Sequence, residues 1–344
     1  MNLKEFKTTF DTHYLAFLDT KIATLSEITS QSENHDLVKY AREMAVSGKR
    51  IRPYLCYLSY ISCDGVSFEE IAEVCIALEL IHTFALFHDD VMDESTLRRG
   101  KTTIHHKYLN LTETAASARS GESMAILIGD LYYTWAFELL LGSEFLKTSS
   151  EARKTILSLL SEVIHGQIID VVVSDSVSVS TSELKEKNRL KTSSYTFIRP
   201  MELGCLLAGQ ADCEEIMKAG VHLGEAFQVI DDVIDIVGNS KLTEKDICLD
   251  VETAQHTLIS NYIADNAPQE LQDEFFSFFG KKLSLEDKSR VQQLAVESGA
   301  IEESRKHAST EIKLALEIID SLEINKEIFA HWHTLGSLLE KRMS

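Results

Sequence analysis

A mostly apolar stretch beginning at Cys75, CIALELIHTFALFHDDVMDESTLRRGKTTIHHK, ends in a sudden burst of charge. It predicts a long, largely buried helix that starts near Phe68 and closes on Asp89, Asp90 and Asp93, with Arg98, Arg99 and Lys101 following. Residues four apart share a helix face, so Asp89 and Asp93 project together, with no basic residue between them in sequence. Two carboxylates one turn apart repel unless a cation lies between them. Oxygen-only ligands suit a hard cation such as magnesium, usually held by one or two carboxylates plus substrate phosphates. Arg98 and Arg99 suit the same phosphates, because a guanidinium fork pairs with them bidentately. FQVIDDVID repeats the pattern, with Asp231 and Asp235 four apart on a second apolar helix. One such motif reads equally well as a solvated helix end. Two of them, each embedded in apolar sequence, argue for paired cation sites.

Three prolines (Pro53, Pro200, Pro268) interrupt 344 residues that are 44% apolar, which predicts long helices and an all-α fold. With no internal boundary visible, residues 1–344 read as a single domain. The net charge of −20 argues against a nucleic-acid or anionic-membrane partner. Six cysteines without CxxC or zinc spacing read as small buried apolar residues in a reducing cytoplasm. The N-terminus lacks the apolar core of a leader peptide, so none is expected. No run of 18 uncharged apolar residues occurs, so no integral membrane segment is expected.

In chain order, helices are expected over 3–27 and 34–47, the second ending at Gly48. Lys49, Arg50 and Arg52 then precede Pro53 at the start of another helix, either as an anion site or as solvated surface charge. Residues 114–142 predict a helix with Asp130 inside its apolar run, in need of a partner. Residues 149–173 predict another, on which Gln167 and Asp170 either cap or steer basic neighbours or make structural hydrogen bonds. Val171–Glu183 reads as a helix end and surface loop. Lys191 and Thr192 open the next helix, which Pro200 should kink or interrupt; Lys191 is either a solvated charge or a phosphate ligand. Gly238–Asp250 reads as a polar loop, and four or five helices follow.

The set GKRIRP, HDDVMDESTLRRG, GQIID, KT and FQVIDDVID closely resembles the trans-prenyl diphosphate synthases, from about residue 40 to 265. The resemblance implies a bundle of long helices around a deep central cavity, with two aspartate motifs facing each other at its mouth. It implies head-to-tail condensation of isopentenyl diphosphate with an allylic diphosphate, about three magnesium ions per active site, and a cytoplasmic homodimer. Carried over residue by residue, Asp89, Asp93 and Asp231 hold magnesium, with Asp235 supporting. Asp90 and Asp232 lie about 100° round the helix and are second-choice ligands. Arg98, Lys191, Gln228 and Lys245 contact the allylic diphosphate; Lys49, Arg52, His82 and Arg99 hold that of isopentenyl diphosphate. Thr192 sits near the reacting carbons. Taken alone, His82 reads equally as a core histidine.

The departures fall in one loop. Glu244 precedes Lys245, Cys248 stands where the family has a glycine, and Gln255 replaces its second lysine. The length of the product is expected to be set by Phe84, Ala85 and Ile81, on the turns before Asp89. An aromatic at position 84 resembles the short-chain synthases that stop at geranylgeranyl diphosphate; farnesyl or longer products are the alternatives. A terpene cyclase fits less well, because the steps from Asp231 give Asp235 and Asn239 rather than that class's asparagine, serine and glutamate. A head-to-head synthase would lack the isopentenyl diphosphate site. A non-catalytic partner subunit is favoured only by the region of Gln255.

Overall fold

The computed structural model describes residues 1–28, 32–111, 117–174, 180–238 and 247–342. Among the described residues it is all-α apart from one hairpin of two-residue strands. The chain divides into two compact units, residues 1–57 with 66–150, and residues 58–65 with 151–344.

In the first unit, helix α1 (Leu3–Ile28) buries Phe6, Phe10, Tyr14 and Leu18 at four-residue steps. That stripe meets Tyr54 and Tyr57 of α3 (Ile51–Ser62) and Phe68 of α4 (Phe68–Met92), with ring centroids 5.2–5.4 Å from Phe6. Such edge and offset contacts are the preferred aromatic geometries. Helix α2 (Ser32–Ala45) lies between α1 and α3 in sequence. Helix α4 packs along α6 (Ala118–Gly142), where Phe87 meets Tyr132. Asp130, expected to need a partner inside an apolar run, lies on the exposed face of α6, 3.5 Å from His88.

Between α4 and α6 the chain forms a hairpin, β1 (Leu97–Arg98) and β2 (Lys101–Thr102), then α5 (Ile104–Leu111). Arg98 lies opposite Lys101, and the turn residues Arg99 and Gly100 both have positive φ, 52° and 74°. That is the twist-matched two-residue turn, which requires φ > 0 at both central positions. The sequence reading anticipated neither hairpin nor α5.

The second unit contains α8 (Ser150–Ser174) from Glu151 onward; the short α7 (Glu144–Thr148) precedes it in the first unit. After α9 (Thr181–Asn188) comes a ten-residue π-helix, Arg189–Ile198, and then α10 (Arg199–Leu207) with Pro200 in its first turn. The expected interruption at Pro200 is therefore a change of helix type. The N–H of Arg199 reaches the carbonyl of Ser194 five residues back, and Pro200 has no N–H to continue a ladder. Helix α11 (Glu214–Val237) carries the second aspartate motif. The remainder is α12 (Leu249–Glu252), α13 (Leu258–Asn266), α14 (Gln269–Phe276), α15 (Leu285–Glu297), α16 (Ala300–Asp320) and α17 (Lys326–Lys341). Val233, Ile236, Val251, Ile263, Phe275 and Leu294 belong to one buried cluster that fixes the end of α11 against α12–α15. Buried Trp332 of α17 donates to Ser62 Oγ at 3.0 Å.

The expectation of no membrane-crossing segment needs correction in its premise. Helices over Phe68–Met92, Ala118–Gly142 and Ser150–Val173 are long and apolar enough to cross a membrane by length and composition. A few polar residues broke each apolar run in sequence without lowering its average. The apolar window of α4 is 67% buried inside the fold, whereas those of α6 and α8 are 39% buried.

Candidate functional site

In the first unit the end of α4 places Asp89 and Asp93 one turn apart, and the N–H of Asp93 donates to the carbonyl of Asp89 at 2.8 Å. Their shared face is the one expected from spacing. Asp89 is half-buried, Asp93 exposed and Asp90 buried. Arg98, delivered by the hairpin, donates to Asp90 Oδ1 at 2.6 Å and approaches Asp89 Oδ2 at 3.4 Å. The other oxygen of Asp90, Oδ2, is buried without a hydrogen-bond partner. Burial pushes the Asp90 carboxyl up to about 6 although Arg98 opposes the shift.

A narrow cleft next to this pair is lined by Ser47, Glu79, His82, Asp90, Arg98 and Arg99, among others. Arg99 donates to the Ser47 carbonyl from the hairpin tip. Burial, then Arg52, Arg99, Arg98 and Arg50, hold the His82 imidazole well below its ordinary range. His82 is thus a neutral hydrogen-bonding group in a cationic surround, the setting expected of an anion pocket. Lys49 is exposed and Arg52 half-buried, while Arg50 is withdrawn into the core. Because folding keeps His82 from taking a proton that the unfolded chain accepts, stability should fall as pH drops below about 6.5. The slope from this one group approaches about 1.4 kcal/mol per pH unit only well below pH 6.5. Urea unfolding of the wild type and of His82→Gln between pH 7 and pH 5 measures it as the difference in slope; equal slopes would remove the assignment.

In the second unit Asp231 is half-buried, Asp232 buried and Asp235 half-buried on α11. Asp232 Oδ1 accepts from Gln228 Nε2 at 2.7 Å, while its Oδ2 is buried without a partner. Burial and the nearby Asp250 push the Asp232 carboxyl up to about 8. Asp235 accepts from the N–H groups of Leu249 and Asp250 at 3.1 and 3.2 Å, so it caps α12. Its carboxyl is raised well above the usual range, by burial and then Asp250. Gln228, expected on a diphosphate, is turned toward Asp232 here. Lys245 lies outside the described residues.

Asp170 of α8 pairs with Lys191 and, at 3.1 Å, with Lys187. This is the steering of basic neighbours expected of Asp170. Lys191 and Thr192 sit in the π-helix, which is pressed between two glycines. A Cβ at Gly166 would fall 2.5 Å from the Lys191 nitrogen, and one at Gly224 would fall 2.5 Å from Ser193 Cβ. No side chain fits at either place.

Arg342 was not anticipated. Near the C-terminal end of the described chain, it donates to Asp231 Oδ1 at 2.6 Å and stacks over Phe227 at 4.8 Å. A single arginine beyond the last helix gives no sequence signal. Phe84 and Ala85 are half-buried and Ile81 fully buried on α4. The Phe84 ring meets Tyr133 at 4.7 Å and His88 at 4.6 Å.

The polyprenyl synthetase family model matches residues 34–296. The chain belongs to the polyprenyl synthetase family. It is a prenyltransferase with the all-α isoprenyl synthase fold. A geranylgeranyl pyrophosphate synthase of Geoglobus acetivorans is 30% identical over 304 residues, 86% of this chain and 89% of that protein. A geranylfarnesyl diphosphate synthase of Aeropyrum pernix is 29% identical over 279 residues, 79% of this chain and 83% of that protein. The crystal structure of a geranylgeranyl pyrophosphate synthase of Corynebacterium glutamicum, complexed with isoprenyl diphosphate and magnesium, superposes with a TM-score of 0.87. It is 28% identical and covers 99% of this chain and all of its own.

Within that family the loop departures acquire a physical shape. Cys248 holds φ 60°, so the backbone still takes the left-handed turn for which a glycine is suited. At Gln255 a cation is still present, because Lys187 Nζ lies 3.2 Å from Gln255 Oε1.

Proposed function

We propose that this polyprenyl synthetase joins isopentenyl diphosphate head to tail to an allylic diphosphate and releases geranylgeranyl diphosphate. The observation that carries the reading is the pair of DDxxD motifs, each placing two carboxylates one turn apart on one helix face, Asp89 with Asp93 and Asp231 with Asp235. Two carboxylates at this spacing repel unless a cation lies between them, and an oxygen-only donor set suits a hard one. Asp89, Asp93 and Asp231 are assigned as magnesium ligands, with Asp235 supporting from its place at α12. Magnesium would supply charge neutralisation to the departing diphosphate. Arg98, Lys191, Gln228 and Lys245 are assigned to the allylic diphosphate, and Lys49, Arg52, His82 and Arg99 to that of isopentenyl diphosphate. Ionisation breaks the allylic C–O bond and leaves its electron pair on the diphosphate. The isopentenyl double bond attacks the resulting cation, and a proton is lost. Arg98 and Lys191, now paired with Asp89, Asp90 and Asp170, are the cations to be redirected to substrate.

The reading includes one catalytic domain over residues 1–344, a homodimer and a cytoplasmic location. Ile126, Leu127 and Leu141 on α6 are 41–73% exposed, apolar surface of the kind subunits cover, which sedimentation would test. Six cysteines left as thiols support the location.

The test is a product assay with magnesium, labelled isopentenyl diphosphate and, separately, dimethylallyl, geranyl and farnesyl diphosphate. One twenty-carbon product is expected. Failure of folded protein to extend any starter would overturn the reading. Phe84→Ala should move the product beyond twenty carbons, and adding Tyr133→Ala should move it further, because the two rings pack together. An unchanged product from the double variant would remove this pair as the stop.

A further inference from the structure

We propose that His222, Glu225, His307 and Glu311 form a site for a divalent transition metal of the zinc type, separate from the aspartates. Helix α11 supplies His222 and Glu225, three residues apart, and α16 supplies His307 and Glu311, four apart. Both spacings put the two side chains on one helix face. His222 Nδ1 lies 2.6 Å from Glu311 Oε2, and His307 Nε2 lies 2.9 Å from Glu225 Oε1. Ligand atoms of Glu225, His307 and Glu311 are all within 4.8 Å of one another. A tetrahedral zinc with bonds of about 2.0–2.1 Å separates its ligand atoms by roughly 3.3 Å, which the spacings within that trio bracket; His222 lies outside the trio, 2.6 Å from Glu311, and would complete the set by a shift toward it. With neutral imidazoles, as metal binding requires, the four groups carry two negative charges, matched by a dication.

Donor chemistry separates this site from DDxxD. Imidazole suits zinc, iron, nickel or copper, whereas oxygen-only sets suit magnesium. The scaffold is firm, because α11 and α16 pack against each other and carry buried Leu223, Ala226, Ala308 and Ile312. The entrance is open, because the four side chains are 12–39% exposed. An ion held here would clamp α16 to the helix that carries Asp231 and Asp235.

Full-length protein stripped of metal is titrated with cobalt(II) under excess magnesium, which fills the oxygen-only sites. One cobalt per chain is expected, with the visible absorption of imidazole coordination and displacement by zinc. His307→Ala or Glu311→Gln should weaken binding about tenfold or more. X-ray absorption of the zinc-loaded wild type should show two imidazoles and two carboxylates. No cobalt uptake under magnesium, uptake unchanged in both variants, or an oxygen-only shell around zinc would each overturn the proposal. The last readout uses the unaltered chain, so a variant that fails to fold does not obstruct it.

Discussion

Replacing Asp89 or Asp231 with alanine should lower turnover by on the order of 10³-fold while leaving the fold intact. Neither carboxylate carries the core. Asp89 is half-buried and makes a 3.4 Å contact with an arginine that keeps its stronger bond to Asp90. Asp231 meets Arg342 beside a helix end. The loss is therefore expected in kcat, with unfolding midpoints close to those of the wild type. Raising magnesium should restore part of the activity in the Asp89 variant if its weakened ligand set is the cause. Steady-state kinetics with geranyl and farnesyl diphosphate, paired with thermal unfolding, reads both quantities. Turnover within tenfold of the wild type in both variants would refute the assignment of these residues to the metal.

The opposite pattern is expected at Arg50. Its side chain is fully buried and donates to Asp11 Oδ1 at 2.7 Å, Glu79 Oε1 at 2.6 Å and the carbonyls of Ala45 and Val46 at 3.0 and 2.7 Å. Its guanidinium also lies 5.0 Å from the Tyr14 ring centroid. Arg50→Ala leaves Glu79, 3% exposed, without the cation that donates to it at 2.6 Å. Breaking a buried pair from one side costs about 3–5 kcal/mol, so the urea midpoint should fall by that equivalent. Arg50→Met with Glu79→Gln removes both charges and should cost less than the sum of the single changes. Additive losses would show that the pair is not coupled.

Asp89, Asp231 and Arg50 also mark what the sequence made legible. Asp89/Asp93 and Asp231/Asp235 were visible because helical spacing and an apolar background define a face without tertiary knowledge. Helices α1, α4 and α8 were placed within a residue or two for the same reason. GKRIRP offered three cations, and nothing local says which one turns inward. Arg50 does so because Glu79, 29 residues later, is buried on α4 and needs a counter-ion. The hairpin escaped because its strands have two residues each, too short for any alternation to register. The loss of the second loop lysine was the one feature that favoured a non-catalytic subunit. A lysine from α9, remote in sequence, stands beside the replacement, and only folding brings it there.

The π-helix from Arg189 to Ile198 has an evolutionary consequence. An α-helix spends about 3.6 residues per turn, and a π-helix with its i to i+5 bonds spends more. The segment therefore carries surplus residues that an α-helix would not need to cover the same distance. A lineage that lost one of them would gain better hydrogen bonding and keep its helix. It would also change which residues of the segment face Gly166 and Gly224, the places now taken by Lys191 and Ser193. The packing of this segment thus depends on the number of its residues as well as on their identity. A gap in this segment among descendants would mark a protein that has given up the chemistry while keeping the fold.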